Sequence, residues 1–109
     1  MTTLLKASKD QMQGWRRHLH QHPETEFDVF DTAAFVIQKL TEFGLVVHEG
    51  IGRIGIVGQL TKGTSTKAIG LRADMDALAI QELNDFAHKS LNEGKMHACG
   101  HDGHTSMLL

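Results

Sequence analysis

Nine consecutive residues, MHACGHDGH at positions 96–104, hold three histidines, one aspartate and the only cysteine of the chain. Cys99 and His101 are two positions apart, so in an extended segment their side chains project from one side and can meet one cation. Thiolate and imidazole are good donors for zinc and related transition ions, with bonds of about 2.3 Å to sulfur and about 2.0–2.1 Å to nitrogen. Two donors do not close a coordination shell. A small buried cysteine beside hydrogen-bonded loop histidines uses the same residue types, and the spacing alone leaves both readings open.

Asp74 and Asp76, in GLRADMDAL, repeat the spacing of two. Carboxylates so placed bind a metal directly or orient a ligating histidine from behind, the alternative being a solvated pair. In HLHQHPE, His18, His20 and His22 alternate just before Pro23. Histidines at a helix C-terminus are favoured electrostatically, so capping and exposure compete there with metal binding. The glycines of GIGRIGIVG lack the dinucleotide-binding spacing, and no phosphate-loop Lys-Ser/Thr follows them. No serine nucleophile elbow is present.

These residues need elements to position them. Residues 3–21 are predicted as a helix with Leu5, Met12, Trp15 and Leu19 on one face, capped by Thr2 or Thr3 and ending before Pro23. Phe30, Ala33, Ala34, Ile37 and Leu40 recur at helical spacing, with Gly44 placed as a terminating glycine and Thr25 with Asp28 as a weak capping box. Three strands are expected next, in LVVHE, IGIVGQL and AIGLRAD, the last two as a hairpin that leaves Asp74 and Asp76 at a strand end. Residues 79–98 give weaker signals, with FAHKS readable as a short strand and LNEGK as a turn. A further helix is expected to begin around His101 to Thr105 and to be cut short at Leu109.

The composition sets wider bounds. A chain of 109 residues is one domain at most. Its 40% apolar and 22% charged residues suit a folded soluble unit. Eleven basic and 13 acidic side chains, spread along the chain, argue against nucleic acid and anionic membrane as partners. The start lacks a secretion-type apolar stretch, and a single cysteine permits no internal disulfide, so a cytoplasmic, reducing location is expected.

Taken in order, RRHLHQHPETEF, GLRADMDAL and GKMHACGHDGHTSMLL closely resemble the start of the M20 metallopeptidase family, in its amidohydrolase branch, which takes in hippurate, N-acyl-amino-acid and auxin-conjugate hydrolases. The likeness runs from about Trp15 to Leu109, and three ordered motifs are far more specific than one. It implies an α/β fold with helices packed on a mixed β-sheet, the N-terminal part of a zinc-peptidase-like catalytic domain, incomplete and without the lid or dimerisation domain. It implies Cys99 and His101 as metal ligands for one or two divalent ions, zinc or manganese, and Asp74 and Asp76 as supports behind the ligands. The implied activity is hydrolysis of amide bonds in N-acyl amino acids, with a general-base glutamate expected downstream and none within these residues. Ala79 stands where the branch usually has proline. The isolated segment is expected to be inactive. The rival expectations are a stand-alone metal-binding or interaction module using His97 or His104 as further ligands, and a folded remnant that associates as a homo-oligomer.

Overall fold

The first helix stops where the sequence says it must. The computed structural model describes residues 2–109, and in it α1 spans Thr2–Gln21, one residue short of the position that Pro23 forces out of helical geometry. His18 and His20 lie in its last turn, where the helix dipole favours them. Of the expected apolar face only Leu19 is fully buried, while Leu5 is exposed and residues 2–7 all face solvent.

Helix α2 (Phe30–Glu42) begins differently from expectation. Thr25 and Asp28 do not cap it: Asp28 N–H donates to the Thr25 carbonyl in a turn, and the N-cap residue is Val29, whose side chain cannot accept. Glu24 takes the capping role from a distance, its carboxylate accepting from Asp31 N–H (3.2 Å), Thr32 N–H (2.6 Å) and Thr32 Oγ1 (2.6 Å). Gly44 follows the helix with φ 79°, the left-handed geometry of a terminating glycine.

Strands β1 (Val46–Ile51) and β2 (Gly55–Gln59) pair antiparallel, with Val46 opposite Gln59 and His48 opposite Val57. The register shifts between His48 and Ile51, and Arg53 takes φ 91° at the tip between Gly52 and Ile54. Helix α2 packs on this hairpin: a Cβ on Gly58 would meet Leu40 and Leu45 methyl carbons at 3.1 Å. The small core gathers Leu19, Val29, Ala33, Val36 and Ala77.

The hairpin thus joins the first and second expected strands, not the second and third. AIGLRAD forms no strand: residues 68–76 adopt no regular structure and have no ladder partner among the described residues. An extended segment becomes a strand only when a neighbour takes its backbone groups, and here Ile69 and Leu71 stay 89% and 75% exposed. Isolated bridges follow, Thr25 with Ala77 in parallel and Leu78 with Met96 in antiparallel sense. FAHKS is a bend and turn, while LNEGK turns as expected, with Gly94 at φ 75°. Helix α3 spans His101–Leu108 and packs against α1.

Candidate metal centre

His101 opens α3, directly after Gly100 at φ 95°. Its Nδ1 lies 2.8 Å from the Asp76 carbonyl oxygen and 3.1 Å from Asp76 Oδ1. Both neighbours are acceptors, so Nδ1 carries a hydrogen, and Nε2 is the ring nitrogen that Asp76 does not engage. Nε2 faces Asp74 Oδ2 at 3.9 Å, and Asp74 is in turn paired with the exposed Arg72. Thr105 Oγ1 donates to the Asp74 carbonyl (3.0 Å), so α3 and the DMD segment are stitched together at two points. Both aspartates therefore lie beside His101, on a segment without regular structure and not at a strand end.

Cys99 is exposed, two residues before His101. A thiolate and an imidazole whose far nitrogen is held by a carboxylate are donors of the kind zinc-like ions take. Among the described residues no group of three or more His, Cys, Asp and Glu side chains is arranged to hold a metal ion. Cys99 and His101 thus fit as part of a site and do not complete one. His104 is exposed, its ring 5.8 Å from that of His101. His97 is 5% exposed with neither ring nitrogen hydrogen-bonded. Burial lowers its pKa, which keeps the ring neutral.

The alternating histidines separate by face. His18 and His22 lie at the surface, where His22 Nδ1–H donates to the His18 carbonyl (2.7 Å) and His18 stacks on Phe35 with ring centroids 4.6 Å apart. With Leu19, Asp31 and Thr32 they line a cleft of about 260 Å³ that includes neither Cys99 nor His101. His20 points inward. Its Nδ1 donates to Asp102 Oδ2 (2.9 Å) and its Nε2 to both oxygens of Glu82 (3.1 and 3.0 Å). Both carboxylates are 95% or more buried. Burial alone would lower the His20 pKa, but hydrogen bonds to Glu82 and Asp102 outweigh it and the net shift is upward. Glu82 moves the other way, to about 2: burial opposes the charge, and donors from His20, Asn84 and Ser90 N–H overcome it.

This buried bridge was not legible as a unit. Its three members come from residues 20, 82 and 102, and Glu82 lies in the stretch with the weakest sequence signal. The alternation in HLHQH was the one available clue, since a helix must send such residues to different faces.

Residues 70–109 match the model of peptidase family M20/M25/M40. The chain is similar to hippurate hydrolase of Campylobacter jejuni (57% identity, 86% of this chain, 24% of that protein) and to N-acyl-L-amino acid amidohydrolase of Geobacillus stearothermophilus (45%, 97% and 29%). The fold superposes on the Bacillus subtilis YXEP protein, a dinuclear metal-binding peptidase of the M20 family, with a TM-score of 0.87 at 34% identity, over 93% of this chain and 29% of that one. The chain spans about a quarter of the length of the curated relatives it matches.

Proposed function

We propose, from a chain that belongs to peptidase family M20/M25/M40, that these residues are the metal-binding start of a catalytic domain that hydrolyses amide bonds in N-acyl amino acids. In this reading residues 1–109 are the N-terminal segment of that domain. Cys99 and His101 supply the thiolate and imidazole donors, Asp76 orients His101, and Asp74 supports the site from beside it. One or two divalent ions, zinc or manganese, suit that donor set, and a cytoplasmic location would keep the Cys99 thiol reduced. The further ligands and the general-base glutamate belong to a part of the enzyme outside these residues.

When bound, the ion supplies Lewis-acid polarisation of the scissile carbonyl and a stronger nucleophile from water. The residues here do the preparatory work. Asp76 fixes the tautomer and the ring direction of His101, and the exposure of Cys99 leaves its sulfur reachable.

The observation that supports this most is the single one at His101: Nδ1 is committed to Asp76, and Nε2 is not. Cobalt titration tests it. A sulfur-to-cobalt charge-transfer band is expected in the wild-type chain, absent in Cys99→Ala and weakened in His101→Ala; no band at any cobalt concentration would count against the reading.

A second reading, a unit that associates with copies of itself, is favoured by the exposure of Ile69, Leu71 and Leu83. A concentration-independent monomer in sedimentation would dismiss it.

A further inference from the structure

We propose that His20 is a positioning residue of the metal centre: by bridging Glu82 and Asp102 in the interior it fixes the first turn of α3 and so aims the Nε2 of the neighbouring His101. This rests on the reading of Cys99 and His101 as metal donors.

Helix α3 has eight residues, and its N-cap glycine offers no side-chain acceptor. A helix that short does not hold itself together in water, so its direction is set by tertiary tethers. On one side Thr105 and His101 bind the DMD segment. On the other, Asp102, in the first turn and 1% exposed, accepts from His20. Without the second tether the first turn, which His101 leads, is held only by the DMD contacts and by packing on α1.

The bridge is itself anchored. His20 sits in the last turn of α1, where Leu19 and His20 are the buried residues. Glu82 is held by Ser90 N–H (2.6 Å) and Asn84 Nδ2 (2.9 Å), which ties in the 79–98 loop. That loop is fastened to the same end of α1, Leu91 N–H donating to the Gln21 carbonyl (2.8 Å) and Asn92 Nδ2 to that of Pro23 (2.8 Å). Remove the imidazole and two buried carboxylates face each other with no donor between them. Such a pair moves apart or takes up a proton. Arg16 cannot substitute: it reaches only Asp102, at 3.5 Å, and is 62% exposed.

The test reads the His101 ring by long-range nitrogen NMR in the metal-free chain at one fixed, mildly alkaline pH. In the wild type His101 is expected as the Nδ1–H tautomer with Nε2 bare. In folded His20→Gln and Glu82→Gln variants the two tautomers should average, while Glu24→Gln, which loosens the start of α2 instead, should leave His101 unchanged. An unaltered tautomer in either folded bridge variant overturns the proposal. So does equal averaging in Glu24→Gln, and so does a failure of both bridge variants to fold, which would assign the bridge to stability alone. The cobalt band of the wild-type chain is a separate readout: its absence would remove the metal reading and leave the tautomer result standing.

Discussion

His101 and Asp76, 25 positions apart, meet through one ring nitrogen that touches both the carbonyl and the carboxylate of the aspartate. The second contact can be removed without disturbing the backbone one. Asp76→Ala is expected to weaken divalent-metal binding by about 10–100-fold, the usual cost of losing a carboxylate behind a ligating histidine. Competition against a chromophoric chelator reads the change. An Asp76→Ala chain that binds as tightly as wild type would show that Asp76 does not orient the ligand.

The His20 bridge makes stability depend on pH in two directions. Glu82 is depressed to about 2 from its ordinary 4.5, so its contribution is present above the ordinary value and lost as pH falls toward the folded one. His20 is raised above 6.5, so its contribution is full below that value and is lost as pH rises through the raised one. Denaturant midpoints should therefore be highest between the two ordinary values and decline on both sides. His20→Ala should flatten this profile, and a wild-type profile already flat would refute the assignment.

Glu24 caps α2 through three acceptor contacts. Glu24→Ala leaves those donors unsatisfied and should cost about 1–2 kcal/mol, the upper range for loss of a helix cap. Urea midpoints measure it, with an unchanged midpoint as the contrary outcome.

Gly58 lies under Leu40 and Leu45, whose methyl carbons leave 3.1 Å for a Cβ. Gly58→Val should therefore destabilise by about 1–3 kcal/mol through overpacking, despite the better strand propensity of valine. A stabilised variant would mean that α2 does not press on the hairpin as described.

Periodicity and punctuation found the helices. Pro23 and Gly44 mark the ends of α1 and α2 because their backbone restrictions act locally. The strand at AIGLRAD was misplaced for the opposite reason: β-branched composition shows that a segment can extend, and not that a neighbour is there to receive its hydrogen bonds. The site divides in the same way. Cys99, His101, Asp74 and Asp76 stand out because two-residue spacing is a local signal. The partnership of His20, Glu82 and Asp102 depends on how α1, the 79–98 loop and α3 are brought together, and nothing in their spacing encodes it.

The claim that Cys99 and His101 share one ion is tested most directly by the alkylation rate of Cys99 as zinc is added. This is the chain's only cysteine and it is exposed, so the rate reports a single thiol. Zinc should slow alkylation in the wild-type chain, and His101→Ala should need at least about tenfold more zinc for the same protection, the minimum expected from losing a direct ligand. Alkylation unaffected by zinc, or protection identical in His101→Ala, would contradict a shared metal centre.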